Sequence, residues 1–169
     1  MTRRFAFLAI VLAVVLALPT LTAAQAKPNF TGKWVQDMEK SDPMGGRPGG
    51  GGGGGGRGPA GPQTLTITQT AADLTIERQN PNGAVKAVYK LDGTESVNDS
   101  GRGKSKTKSV WAGNTLVTTG TQTMTMQGNE VTMESKEVRS LDADGLMVVV
   151  STTKSQMGER TRKTVFKKS

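Results

Sequence analysis

Apolar and polar residues alternate along most of the chain from Thr64 onward. Leu65 and Ile67 are each flanked by threonines, and Leu74 and Ile76 repeat the same spacing. A period of two, rich in Thr and Val, is typical of short strands with one buried face. Turn sequences separate these segments at regular intervals: Pro81-Asn82-Gly83, Asp92-Gly93, Ser100-Gly101, Gly113-Asn114, Gly128-Asn129, Asp144-Gly145 and Gly158. The pattern predicts an all-β fold, an antiparallel meander closed into a small barrel of about eight to ten strands, from Phe30 to Lys168.

The first 26 residues have the pattern of a secretion signal. Arg3 and Arg4 precede an unbroken apolar run, and Ala24-Gln25-Ala26 forms a small-residue cleavage site. The apolar run is shorter than the roughly 20 residues that a membrane-spanning helix needs, so cleavage near Ala26 is favoured over an uncleaved anchor. We therefore expect an exported protein, periplasmic or extracellular, whose barrel domain covers residues 27–169. Asn29 and Asn98 begin glycosylation sequons, which matter only in a cell that modifies them.

A glycine-rich stretch interrupts the predicted barrel at residues 45–62. It holds more than half of the chain's 22 glycines. Glycine loses the most backbone entropy on ordering, and this stretch has almost no apolar side chain to bury in exchange. We predict a disordered loop after the first strand.

Two strands depart from the simple alternation. Lys104, Lys106 and Lys108 share one face, and the opposite face carries Ser105, Thr107, Ser109 and Trp111. Either that second face is interior and the lumen is polar there, or the strand is an edge protected by lysines.

The segment Leu146 to Val150 is apolar on both faces. We expect Met147 and Val149 to form an outer face covered by the glycine-rich loop, by a membrane or by a second copy of the chain. A homodimer through these two side chains is one of those predictions; membrane association is another, less favoured one.

Composition argues against several classes of function. The chain has no Cys and no His, so thiol nucleophiles, thiolate metal sites and the usual general base are absent. The net charge of +8 is spread over many strands, and aromatic residues make up only 4% of the chain, which argues against a nucleic-acid surface. We expect a protein that is not an enzyme and that has neither a cofactor nor a metal site.

The sequence Gly32-Lys33-Trp34 near the predicted mature N-terminus, followed by a long meander, resembles the calycin group: lipocalins, fatty-acid-binding proteins and the avidin type. The lipocalin resemblance implies that Gly32 and Trp34 close the barrel and that Arg160 or Arg162 stacks on Trp34. Trp111 lies in a segment similar to a hairpin of fatty-acid-binding proteins. The chain departs from that family in having the glycine-rich stretch where the family has two helices, and in lacking its Arg-x-Tyr pair in the last strand.

The fold and the resemblance together favour a non-catalytic carrier that binds a small lipophilic or amphipathic molecule inside the barrel. The candidate ligand contacts are Tyr89, Trp111, Met124, Met126, Met133, Arg160 and Arg162. Ordinary core packing is the alternative for the methionines and aromatics, and an exposed strand face is the alternative for the arginines. Two other functions stay open: a cell-envelope interaction module with a filled barrel and no ligand, and an outer-membrane barrel, which the few aromatics disfavour.

Overall fold

A computed structural model describes residues 26–43, 61–80, 83–99, 103–126, 129–156 and 158–169. The predicted signal peptide, except for its last residue, and nearly all of the predicted glycine-rich loop lie outside the described residues.

The described residues form ten antiparallel strands and no helix, in agreement with the predicted all-β barrel. The strands are β1 (Gly32–Asp37), β2 (Thr64–Gln69), β3 (Asp73–Asn80), β4 (Gly83–Lys90), β5 (Glu95–Asp99), β6 (Lys104–Ala112), β7 (Thr115–Met126), β8 (Asn129–Leu141), β9 (Met147–Ser155) and β10 (Gly158–Lys168). Accordingly, no described helix has the length and apolar character needed to cross a membrane.

The strands follow one another around the barrel in chain order, and β1 pairs with β10. Strands β4 and β5 are the two ends of the hydrogen-bonded sheet, and side chains bridge the seam between them. The Asn98 amide accepts from the Val88 backbone N–H at 2.8 Å and donates to the Val88 carbonyl at 2.9 Å. Ser96 Oγ accepts from the Lys90 N–H at 2.8 Å. The barrel is thus nearly closed. The side-chain amide of Asn98, the first residue of a sequon, is hydrogen-bonded to the barrel backbone.

Alternation assigns the faces of β6, one of the two strands that depart from the simple pattern. Its three lysines are exposed, whereas Thr107 and Ser109 are buried. The strand has a partner on each side, β5 and β7, so it is not an edge. Of the two interpretations of its sequence, the structure shows the polar interior wall.

The core fills one end of the barrel. We call the end where β1 begins and β10 ends the lower end, and the opposite end the upper end. The buried apolar residues form one lower core: Phe30, Trp34, Leu65, Ile67, Leu74, Ile76, Leu91, Leu116, Met147, Val149 and Phe166. Segment 26–31 crosses beneath the barrel, held by the Phe30 N–H donating to Gln69 Oε1 at 2.9 Å. The lower end is therefore closed by packed side chains.

The structure corrects the prediction for Met147 and Val149. Met147 is 0% exposed and Val149 is 5% exposed, because the register places Met147 opposite Phe166 and Leu141 inside the barrel. These side chains belong to the core and cannot form a dimer surface. The outward-facing residues of this strand are Val148 and Val150, which are half-buried.

Candidate functional site

A layer of charged side chains lies inside the barrel just above the lower core. Arg139 of β8 is 3% exposed, and its guanidinium donates to the Glu137 carboxylate two residues earlier. The two residues share a face because strand side chains alternate. The Arg139 guanidinium also lies 5.9 Å from the centre of the Phe30 ring, a distance that suits a cation–π contact. The ion pair therefore rests directly on the lower core.

Several buried polar atoms have no hydrogen-bond partner among the described residues: Gln36 Nε2, Thr107 Oγ1, Arg139 Nε, and Arg162 Nε and Nη2. Arg162 contributes two of these atoms. It is placed opposite Ser151 of β9, which in turn pairs with Glu137. Neighbouring strands lie about 4.8 Å apart, so the backbones of Glu137 and Arg162 are about 10 Å apart. A buried donor without a partner is costly, and unpaired donors on a cation favour a bound anion.

Tyr89 of β4 faces the same layer from the other side of the barrel. Burial raises the pKa of the Tyr89 phenol above its usual value, and the charges of Arg78, Glu137 and Arg139 act on that pKa in smaller, partly opposing ways. Tyr89 is half-buried on the inward face of β4 and packs against the lower core. The phenol stays protonated at neutral pH and is available as a hydrogen-bond donor.

Hydroxyl groups line the interior wall made by β6 and β7. Ser109 Oγ and Thr118 Oγ1 are hydrogen-bonded at 2.8 Å, and Thr118 pairs in register with Glu137. The wall opposite, on β2 and β3, carries buried Leu65, Ile67 and Ile76. The interior thus has one apolar side and one polar, cationic side.

The structure distributes the predicted ligand residues over three levels. Trp111 belongs to the lower level, where its ring is stacked on Phe30 at 6.0 Å between centroids. Tyr89 and Arg162 lie at the charged layer. Met124 and Met133 are half-buried and face inward from β7 and β8 near the upper end. Arg160 stands above Arg162 on the inward face of β10, and Met126 is the last residue of β7.

A lysine makes the contact over Trp34, instead of the expected Arg160 or Arg162. Lys168 Nζ lies 5.5 Å from the centre of the Trp34 ring. The ring's own N–H donates to the Phe30 carbonyl at 2.8 Å. Gly32 makes room for this arrangement, because its φ is +142° and a Cβ there would come within 2.8 Å of Lys168 Cε. The two arginines are left free to face the interior.

Sequence reasoning missed Glu137 and Arg139. Both faces of their strand are largely polar, so alternation alone does not tell which face is inside. The available signal was that Glu137 and Arg139 alternate in phase with Met133, which the sequence pattern gives as a candidate ligand contact inside the barrel.

A depression of about 470 Å³ lies on the outer face of β7 to β10. Charged side chains in it alternate in sign, since Lys154 is placed opposite Glu134 and Glu159. None of the predicted ligand residues lines it. Its charges compensate one another, so the interior layer, with its unpaired donors, is the better candidate for a binding site.

Comparison with known proteins identifies a fold but no family. No family model matches the chain, and no curated protein matches its sequence. Solved structures do match. A zebrafish ileal bile acid-binding protein in complex with cholic acid is 18% identical, with a TM-score of 0.53 over 83% of this chain and 98% of that one. A protein titled REP1-NXSQ fatty acid transporter is 16% identical, with a TM-score of 0.54 over 82% and 95% of the two chains.

A mutant of the fluorescent protein UnaG is 20% identical, with a TM-score of 0.52 over 83% of this chain and 96% of that one. At these identities the likeness concerns the fold alone. It agrees with the barrel that the calycin resemblance implies and does not single out the lipocalins. The chain has the same β-barrel fold as these three proteins.

Proposed function

We propose that the protein is a carrier that binds a small amphipathic molecule with an anionic group inside its barrel. The observation that carries this proposal is Arg162, whose Nε and Nη2 are buried without a partner among the described residues. Guanidinium donors form strong, directed hydrogen bonds with carboxylate and phosphate oxygens. The anionic group of the ligand lies against Arg162, with the Arg139 Nε close below it.

The apolar part of the ligand extends from the charged layer toward the upper end. The lower core is filled by side chains such as Trp34 and Phe166, so there is no room for a chain below the arginines. Above them, Met124 and Met133 face inward from adjacent strands. Methionine adapts its shape to apolar ligands, which suits a carrier.

The structural neighbours support a binding role. Two of them are titled as a bile acid-binding protein and a fatty acid transporter. Binding rather than catalysis also fits a chain without His or Cys. Export, with cleavage of the signal near Ala26, remains part of the proposal.

Binding of matched amphiphiles tests the proposal directly. The protein is purified from the producing cell without removal of lipid, and native mass spectrometry first shows any molecule that it carries. Calorimetry then compares dodecanoate with dodecanol. We expect dodecanoate to bind at least about tenfold more tightly, since hydrogen bonds to charged groups contribute about 1.5–3 kcal/mol, and we expect Arg162→Gln to remove this difference.

Lys163→Gln is the matched control, because Lys163 is the next residue on the same strand and points outward. It should bind dodecanoate as the unmodified protein does. Absence of binding for both amphiphiles would overturn the proposal and favour a barrel filled by its own side chains that acts as an interaction module.

A further inference from the structure

The inward face of the upper half of β10 carries two arginines in succession. Arg160 and Arg162 alternate with outward-facing Thr161 and Lys163. Residues two apart on a strand lie about 6.6 Å from each other and point the same way. The two guanidinium groups are therefore side by side, Arg162 at the charged layer and Arg160 exposed at the upper end.

The described interior has too few carboxylates for its arginines. Above the lower core, four arginines occupy inward-facing positions on the described strands: Arg78, Arg139, Arg160 and Arg162. Glu137 is the one inward-facing carboxylate on these described strands. Glu137 is already paired with Arg139. Glu159 lies on β10 itself but faces outward, opposite Lys154. Asp42 accepts a hydrogen bond from the Lys163 backbone N–H at 2.6 Å. No described carboxylate is thus paired with Arg160 or Arg162.

The strand beside these arginines offers hydroxyl groups. Ser151 is opposite Arg162, and Thr153 is opposite Arg160. Both side chains are half-buried. Two guanidinium groups and two hydroxyls on adjacent strands form a cluster of donors that one carboxylate, with a single charge, does not compensate.

We infer that the anionic group of the ligand is dianionic, of the phosphate monoester kind, and that it bridges Arg160 and Arg162. A phosphate monoester carries close to two charges at neutral pH and offers three acceptor oxygens, which matches two guanidinium groups flanked by hydroxyls. This inference rests on the proposed function and specifies the chemical class of the same ligand.

The test compares dodecyl phosphate with dodecyl sulfate, which have the same chain and similar tetrahedral head groups. At about pH 7.2 the phosphate is mostly dianionic and at about pH 5.2 it is mostly monoanionic, whereas the sulfate is monoanionic at both. The chain has no histidine, so its side chains add little titration in this range. Affinities are measured by calorimetry below the concentrations at which micelles form, in a buffer without phosphate.

We expect dodecyl phosphate to bind about fivefold more tightly than the sulfate at the higher pH, the size of one partly exposed charge pair. The preference should vanish at the lower pH. Arg160→Gln should bring the ratio of the two affinities close to one at both pH values, and Lys163→Gln should leave the ratio as it is. Inorganic phosphate should displace the amphiphile only weakly, because it lacks the chain.

Equal affinities for phosphate and sulfate at the higher pH would overturn the inference alone, provided that dodecanoate still binds more tightly than dodecanol. Displacement by inorganic phosphate at the concentration of the amphiphile would also overturn it, since the site would then hold a free anion. Failure of every amphiphile to bind would overturn the proposed function together with the inference.

Discussion

The lower end of the barrel and the charged layer above it differ in whether their buried polar atoms have hydrogen-bond partners. In the lower core the buried side chains are apolar and packed against one another, and the indole N–H of Trp34 donates to the Phe30 carbonyl. At the charged layer above it, Arg139 and Arg162 bury nitrogen atoms that have no partner among the described residues. Satisfied packing stabilises a fold, whereas unpaired buried donors reduce its stability. The packed lower end thus accounts for stability, and the unpaired donors of the charged layer are the basis of the proposed ligand site.

The largest effect should come from the lower end. Trp34→Ala removes a ring that is 1% exposed and leaves a cavity, so we expect a loss of about 3–5 kcal/mol in the free energy of unfolding. Urea denaturation followed by circular dichroism measures it. Val110→Ala, at a position 48% exposed, is the control and should change stability by less than about 0.5 kcal/mol. A small effect of Trp34→Ala would mean that the lower end is not the main source of stability.

At the charged layer we expect a substitution to raise the free energy of unfolding instead of lowering it. Arg162→Leu replaces unpaired buried nitrogens with apolar atoms, and such replacements are often neutral or stabilising. In the ligand-free protein we expect an increase of about 1 kcal/mol in the free energy of unfolding, together with the loss of the preference for dodecanoate over dodecanol. Chemical denaturation of Arg162→Leu and of Lys163→Gln, side by side, gives the comparison. A clear loss of stability in Arg162→Leu would show that the guanidinium supports the fold and is not kept for a ligand.

The same contrast explains what the sequence could predict. Alternation and turn residues are local signals, so they predicted the strands, and Gly32 with Trp34 marked the start of the barrel. They did not predict which face of Leu146 to Val150 is inside, because both faces are apolar and only the pairing of Met147 with Phe166 decides it. The ion pair of the charged layer was missed for the corresponding reason: both faces of β8 are largely polar.

Contacts between distant strands were also beyond local signals. The lysine over Trp34 comes from the last strand and reaches the ring through the space left by Gly32. Arginine was expected there by resemblance, and both candidate arginines lie further up the strand. The position of a side chain along the barrel depends on register, which the sequence of one strand does not specify.

The smallest effect concerns Tyr89, which reports on the charged layer without disturbing it. The chain has a single tyrosine, so ultraviolet absorbance during an alkaline titration follows this phenol alone. Burial raises its pKa in the folded protein, so the folded state holds the proton more tightly than the unfolded state. This difference contributes to the free energy of unfolding. The contribution is fully present below the ordinary tyrosine pKa of 10.0 and is lost as the pH rises from there through the raised pKa of the folded protein. Tyr89→Phe should lack this loss.

An anionic ligand beside Arg139 and Arg162 should raise the phenol pKa further, because it adds negative charge near the phenolate. A folded-state pKa at or below the ordinary value would contradict the burial of Tyr89 and its position facing the charged layer.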